Sequence, residues 1–274
     1  MSPKSSLLHP VIATAIAVNL FVLLLATALQ GNATHIWQLV GEDGIIEWLQ
    51  FLCFTVISAM LVFVGLQRRG RADTSNFELL VLFGLAGLVA LAALEEISWF
   101  QRILRVTSPE YFVANNRQAE TNIHNLALGS ASLHKTVLLK LIFIAGITHN
   151  LVLPLLARSR PGIKRWVESI GLYLPPLKAS IAYLVLVALS HVLIDHNRKG
   201  ELGETFGAVH YLATVFCAYF VALEHGKRPL FGDVEARRGL SILFAMMIAF
   251  LLLVAWMLSA GAGATEQTAK FSVG

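Results

Sequence analysis

Two adjacent carboxylates, Glu95 and Glu96, stand at the end of an apolar stretch that begins near Phe77. Two neighbouring carboxylates in a poorly solvated place cannot both ionise easily, so one can hold a proton near neutral pH and act in general acid–base chemistry. On a continuous helix, Glu95, Trp99 and Arg102 would share one face, and Glu96 would point about a quarter-turn away. The pattern predicts an inward-facing acid–base pair, and the alternative is a structural ion pair with Arg102.

A second acid–base pattern lies in the polar stretch that follows. Glu120 and His124 are four residues apart, flanked by Asn122 and Asn125. A carboxylate can orient an imidazole for proton transfer or for metal binding, and the alternative is a solvated cap or turn. The candidate catalytic residues of the chain are therefore Glu95, Glu96, Arg102 and Glu120.

Histidines recur farther along the chain. His191 and Asp195 are four residues apart, the usual spacing for two ligands on one face of a helix, and His210 lies in the next apolar stretch. A helix–helix hydrogen bond is the alternative for any one membrane histidine. We predict a zinc or iron site that activates water, with ligands drawn from His124, His191, Asp195 and His210.

The composition indicates where these residues must be placed. Of 274 residues, 56% are apolar and 14% charged, against about 25% charged in soluble domains. The mean hydropathy is +0.68. This predicts an integral membrane protein with one transmembrane domain, residues 1–260, and a polar tail, 261–274. The net charge of +4 comes from basic residues grouped in loops, which does not favour nucleic-acid binding.

Seven apolar stretches are long enough to cross a bilayer as helices, so the predicted fold is an all-α polytopic transmembrane helix bundle of about seven spans. The predicted spans are residues 11–30, 44–66, 77–101, 137–157, 179–197, 204–225 and 239–259. The loops after the second, fourth and sixth spans carry the clusters of Lys and Arg, which indicates that they are cytoplasmic. The protein is then expected in a bacterial inner membrane, N-terminus inside and C-terminus outside.

This orientation predicts that the acidic and histidine clusters lie together at the outer face. We expect Glu95, Glu96, His191, Asp195 and His210 to surround one polar cavity. Asp43 and Glu47, four residues apart at the start of the second span, predict either a further polar cluster or cation site, or acids that favour the positive end of a helix.

The outer loop, about 103–136, is too long for a plain connection. Thr107, Ser108, Pro109 and Glu110 have the hydroxyl cap, proline and early acid that begin a helix, and the aromatic residues that follow predict a short helix at the membrane interface. The same loop is the element by which the protein would dock a membrane partner.

The strings Glu-Glu-Ile-Ser-Trp-x-Gln-Arg at 95–102 and Glu-Thr-Asn-Ile-His-Asn at 120–125 resemble those of an uncharacterised family of bacterial multi-spanning membrane proteins. Glu95-Glu96, Phe206 to His210 and His191 to Asp195 are similar to the motifs of CAAX-type intramembrane proteases, although the last two occur in reversed order. The span count and the His/Asp set resemble the zinc hydrolases that include alkaline ceramidases and adiponectin receptors, although the seventh span has no ligand.

The first functional hypothesis is a membrane-embedded hydrolase or transferase that acts on a lipid or lipid-linked substrate at the outer face. Two other classes remain open. A proton-coupled transporter would use the acids and histidines as a relay. A non-enzymatic subunit or assembly factor of a membrane complex would use the outer loop for docking.

Overall fold

The computed structural model describes residues 9–41 and 44–259, so Glu42 and Asp43 lie outside the described residues. Helix accounts for 76% of the chain and strand for 2%, which confirms the all-helical class. The helices are α1 (Pro10–Leu29), α2 (Ala33–Val40), α3 (Ile45–Arg68), α4 (Asn76–Glu96), α5 (Gln101–Leu104), α6 (Glu110–Asn115), α7 (His134–Ser159), α8 (Pro161–Ser169), α9 (Leu177–Leu193), α10 (Gly200–Val221) and α11 (Val234–Ser259).

Six stretches of the described chain are long and apolar enough to cross a membrane: α1, Ala33–Arg68, α4, α7, α10 and most of α11. The predicted fifth span is the apolar helix α9, which has 17 residues, fewer than the roughly 20 of a typical membrane-crossing helix. These helices are compatible with a membrane protein, and the count of seven spans stays a prediction.

The predicted third span ends earlier than expected. Helix α4 stops at Glu96 rather than at residue 101, because Ser98, Trp99 and Phe100 take left-handed backbone angles, with φ of 46°, 57° and 59°. The predicted helix face shared by Glu95, Trp99 and Arg102 is therefore wrong. The side chain of Arg102 lies outside the described part of the structure.

The predicted fifth span also ends early. Helix α9 stops at Leu193, and Ile194 is already extended. Asp195 therefore follows the helix instead of lying one turn after His191, and the one-face ligand pair that their spacing predicts is wrong.

Two compact units divide the chain. The first holds residues 1–93 and 145–238, and the second holds 94–144 and 239–274. In the first unit, α1, α3, α9 and α10 pack together through buried apolar side chains, among them Ile12, Cys53, Ala208 and Cys217. Both cysteines are free, buried thiols. Small residues such as Ala208 permit the close helix contacts that stabilise membrane bundles. The single membrane domain, 1–260, stays a prediction.

The outer loop lies in the second unit and carries the predicted short helix. Helix α6, Glu110–Asn115, lies where the sequence predicts a short helix. The predicted hydroxyl cap is wrong, because Pro109 precedes the first turn and no side chain caps the helix. A two-residue antiparallel pair, β1 (Ala127–Leu128) with β2 (Ala131–Ser132), was not predicted. Gly129 turns the chain between these strands with φ of 62°, a conformation that glycine adopts without strain.

Candidate functional site

The second unit joins the two polar sequence strings into one cluster, which we call the outer-loop site: Glu95, Ser98, Glu120, Asn122 and His124. Glu95 is the last-turn carboxylate of α4, and Ser98 begins the left-handed turn that follows it. The other three residues lie on irregular backbone. Hydrogen bonds between side chains and backbone, rather than secondary structure, position the site.

Glu95 accepts hydrogen bonds at both of its carboxylate oxygens. Its Oε1 accepts a hydrogen bond from the Trp99 indole N–H at 2.9 Å, and its Oε2 accepts from the backbone N–H groups of Ile123 and His124 at 2.6 and 3.0 Å. Three donors aimed at one carboxyl group favour its ionised form, because a carboxylate accepts at both oxygens.

His124 completes an acid–base pair with Glu95. Its Nδ1 lies 3.3 Å from Glu95 Oε2, and its Nε2 lies 2.9 Å from Asn125 Nδ2. Because an amide nitrogen only donates and a carboxylate only accepts, this network assigns the proton of a neutral imidazole to Nδ1 and leaves Nε2 as the acceptor. The His124 side chain is 27% exposed, so the imidazole is partly accessible from solvent.

Glu120 does not orient His124, although their spacing suggested it. Its Oε2 accepts from the Ser98 hydroxyl at 2.6 Å and faces Asn122 Nδ2 at 3.3 Å. Asn122 Nδ2 also donates to Ser98 Oγ at 2.9 Å. The segment from 120 to 124 is not helical, so a four-residue spacing does not bring its side chains together, and the carboxylate that His124 meets comes from α4.

The left-handed turn at Ser98–Phe100 is strained. A non-glycine residue in the left-handed region of backbone angles raises the free energy of the folded state by about 1–2 kcal/mol. Ser98 is held by Glu120 and Asn122, and Trp99 is held by Glu95. Gln101 adds two further hydrogen bonds. Its Nε2 donates to Ser108 Oγ, and its Oε1 accepts from the backbone N–H of Thr121, both at 2.7 Å. The two strings thus form one interlocked unit around the strained turn.

The remaining predicted ligands lie in the first unit. His191 is exposed and its Nδ1 binds the carbonyl of Val187 at 3.0 Å, and Asp195 is exposed with its backbone N–H on Gln30 Oε1. His210 is 4% exposed and takes part in a different network.

A metal site is not assembled from these residues. Within 9–41 and 44–259, no three side chains of His, Cys, Asp or Glu come together as metal ligands. Structural and catalytic zinc sites need three or four such ligands, so the described side chains do not fit the predicted zinc or iron. The zinc or iron site stays a prediction.

Asn150 is the centre of what we call the His210 network, inside the first unit. Its Oδ1 faces His210 Nε2 at 2.9 Å and accepts from Ser180 Oγ at 3.2 Å, and its Nδ2 donates to Tyr211 Oη at 2.6 Å. Tyr183 stacks on the His210 ring with centroids 4.7 Å apart. Asn150 lies in a π-helical turn, 148–152, a wide turn that often marks functional positions.

The chemistry of Asn150 decides what the His210 network can do. A carboxamide neither gains nor loses protons near neutral pH, so a chain that passes through it does not conduct protons by hopping. The network satisfies buried polar groups of α7, α9 and α10 and fixes how these helices pack. It does not supply the relay that a proton-coupled transporter needs.

A buried ion pair of the first unit was not singled out by the sequence patterns. Arg68 Nη1 lies 2.7 Å from Glu78 Oε1, their side chains are 4% and 1% exposed, and Lys227 binds the other oxygen of Glu78. We call these three residues the Arg68–Glu78 network. A sequence signal existed, since a glutamate in the first turn of an apolar helix and an arginine in the last turn of the preceding one are costly to bury unless paired.

His225 lies beside the Arg68–Glu78 network in the loop after α10. Its side chain is 2% exposed, and its Nδ1 lies 3.5 Å from Glu168 Oε1 without the geometry of a hydrogen bond. Burial, and then the positive charges of Arg68, Lys227 and Lys164, lower the pKa of His225 to about 3. These effects outweigh the attraction of the single carboxylate, so the imidazole is neutral in the folded protein.

This lowered pKa predicts acid lability. Between pH 6.5, the ordinary pKa of an unfolded histidine, and pH 3, the unfolded chain binds a proton at His225 that the folded chain does not. The free energy of unfolding therefore falls as pH falls, by about 2 kcal/mol from this residue between pH 7 and pH 5. His225→Phe keeps an aromatic ring and should flatten that slope in detergent unfolding experiments, whereas His35→Phe, at an exposed site, should not. Equal slopes in all three proteins would contradict the assignment.

Comparison of the chain with protein-family models, curated proteins and solved structures finds no match in any of the three.

Proposed function

We propose that the protein is an integral membrane hydrolase or transferase that uses the outer-loop site to act on a lipid or lipid-linked substrate. The observation that carries the proposal is the Glu95–His124 pair, in which a hydrogen-bonded carboxylate orients a partly exposed imidazole whose Nε2 is an acceptor. The orientation of the basic loops supports a site on the outer side of a bacterial inner membrane, with the N-terminus inside.

His124 acts as the general base in this proposal. Nε2 leaves Asn125 and takes a proton from water, or from an acceptor alcohol in a transferase, as that oxygen attacks an ester or phosphoester of the substrate. The imidazolium then returns the proton to the departing oxygen. Glu95 holds the Nδ1 proton in place and stabilises the positive charge that forms on the ring. The freed amide of Asn125 can donate to the oxygen on which negative charge develops.

The rest of the outer-loop site positions this pair. The strained turn at Ser98–Phe100 brings Trp99 back onto Glu95, and the backbone of Ile123 and His124 is held on the same carboxylate. Strain that the surrounding bonds maintain is typical of sites that must be pre-organised. Glu96 and Arg102, predicted as catalytic, have no step in this scheme.

The direct test uses the purified full-length protein in detergent and a total lipid extract from the membranes of its host. Mass spectrometry of the extract before and after incubation should show a lipid consumed and a cleaved or transferred product. His124→Gln should lower the rate of product formation about 10²–10⁴-fold, as loss of a general base does. His35→Gln, at an exposed histidine of α2, is the matched control and should keep the wild-type rate.

The result that would overturn the proposal is product formation by folded His124→Gln at the wild-type rate. No consumption of any lipid class by the wild-type protein, together with stable co-purification of another membrane protein, would favour the non-enzymatic subunit instead.

A further inference from the structure

A polar cleft of about 330 Å³ opens in the first unit, on the side where the sequence places the cytoplasm. We call it the Glu168 cleft, and the lining residues that matter here are Asp73, Ser75, Glu78, Arg165, Glu168 and Lys227. Its volume lies within the range of about 300–1,000 Å³ that small-molecule sites occupy. Nothing in the proposed reaction uses this cleft, and the inference does not rest on the proposed function.

The charges of the cleft select the kind of ligand. The lining holds two cations, Arg165 and Lys227, and three acids. Two of these acids also contact a basic residue outside the lining, since Glu78 contacts Arg68 and Glu168 contacts Lys164 at 3.8 Å. Both signs of charge thus line the cleft. A purely anionic ligand would meet carboxylates, and a purely cationic one would meet Arg165 and Lys227. A ligand that carries both a negative and a positive group can pair with the basic and with the acidic lining residues.

The polar atoms that line the cleft indicate which positive group and which negative group the ligand carries. Glu168 accepts the Gly226 N–H through Oε1 at 3.0 Å, and its side chain keeps 14% exposure. Together with the exposed Asp73 it presents carboxylate oxygens to which N–H groups of a ligand can donate. A primary ammonium offers three such donors and a trimethylammonium none. The negative group of the ligand would contact Arg165 and Lys227, and arginine and lysine are the residue types that bind phosphate.

Exposed apolar side chains that neighbour the lining residues in the sequence favour a lipid as the ligand. Phe77 and Leu80, in the first turns of α4 after Ser75, are 57% and 66% exposed, and Trp166 beside Arg165 is 58% exposed. Helix α8 also carries Lys164 and Arg165, and a short helix with exposed Trp and basic residues is typical of a membrane interface. The phosphate region of a bilayer is then level with the cleft.

From these observations we infer that the Glu168 cleft binds the headgroup of a phospholipid with a phosphate and a primary ammonium, a phosphatidylethanolamine. Arg165 and Lys227 contact the phosphate, Glu168 and Asp73 contact the ammonium, and the acyl chains lie along Phe77 and Leu80.

The test measures binding of short-chain phosphatidylethanolamine, phosphatidylcholine and phosphatidylglycerol to the purified full chain in detergent, by native mass spectrometry. Phosphatidylethanolamine should bind about tenfold more tightly than phosphatidylcholine, the effect of one charge-assisted hydrogen-bonded group. Glu168→Gln should abolish that preference. Arg165→Gln should weaken binding of both lipids about tenfold, and Arg158→Gln, an exposed arginine outside the lining residues, should not.

Four other results would contradict binding of phosphatidylethanolamine in the Glu168 cleft. Equal binding of phosphatidylethanolamine and phosphatidylcholine, or tighter binding of phosphatidylglycerol, would overturn it. Soluble O-phosphoethanolamine that binds as tightly as the lipid would overturn the lipid as ligand. If Glu168→Gln unfolds, Asp73→Asn at an exposed position replaces it, and an unchanged lipid preference in that variant would count against the inference.

Discussion

Replacing Glu95 by glutamine is expected to remove activity and also to destabilise the outer-loop site. Gln has one acceptor oxygen where Glu95 uses two, so its amide group must face either the Trp99 indole N–H or the backbone N–H groups of Ile123 and His124. A donor facing a donor leaves one of them unpaired, at a cost of about 1–3 kcal/mol. The loss of the carboxylate that stabilises the imidazolium of His124 should lower product formation about 10²–10⁴-fold.

Trp99→Phe separates the two effects of Glu95→Gln. It removes the same indole hydrogen bond and keeps an aromatic ring, the Glu95 carboxylate and the Glu95–His124 contact. Thermal unfolding and product formation should be measured on both variants. We expect both to be less stable than wild type and only Glu95→Gln to lose its activity. If Trp99→Phe loses as much activity as Glu95→Gln, the carboxylate is structural and not part of the chemistry.

The largest expected change in stability is that of Glu78→Ala. This substitution leaves Arg68, whose side chain is 4% exposed, without the carboxylate it contacts at 2.7 Å, and also removes a partner of Lys227. An uncompensated buried charge of this kind costs about 3–5 kcal/mol. Denaturant or SDS unfolding in a fixed detergent would measure the loss. Glu235→Ala, at an exposed acid in the first turn of α11, should change stability by about 1 kcal/mol or less.

A double variant tests whether the Glu78 effect is electrostatic. Arg68→Met with Glu78→Leu replaces both buried charges by apolar side chains of similar length, which is often neutral or stabilising. Lys227, with 18% exposure, can turn to solvent. The double variant should therefore recover most of the stability lost by Glu78→Ala. A double variant as unstable as the single one would show that packing, including the stacking of Arg68 on Tyr219, carries the effect.

The outer-loop site shows which part of a site can be predicted from local spacing. The sequence singled out Glu95, Glu120 and His124, and the structure brings all three into one cluster. It pairs them differently, because the left-handed turn at Ser98–Phe100 ends α4 and folds the chain back. Such a turn has no glycine and no local signal. Its hydrogen bonds include those that Glu120 and Asn122, more than twenty positions away in the sequence, make with Ser98.

The histidines of the first unit show where local spacing fails to predict the partners of a side chain. Predicting that His191 and Asp195 share a helix face required the helix to continue past Leu193, and the chain leaves the helix at Ile194. His210 was placed correctly within an apolar helix, where its neighbours Asn150 and Ser180 come from other helices. Arg68 and Glu78 attracted no functional prediction, although each is costly to bury alone.

Hydrophobicity and length, which are local properties of the chain, determined the helices by themselves. Apolar stretches of about twenty residues must satisfy their backbone groups internally, so the all-helical class and the approximate positions of the apolar helices follow from the sequence. The partners of the polar side chains were decided only by the tertiary structure. A buried carboxylate or imidazole must find a partner, but the sequence does not say which one, because that depends on where each helix ends and which faces then meet.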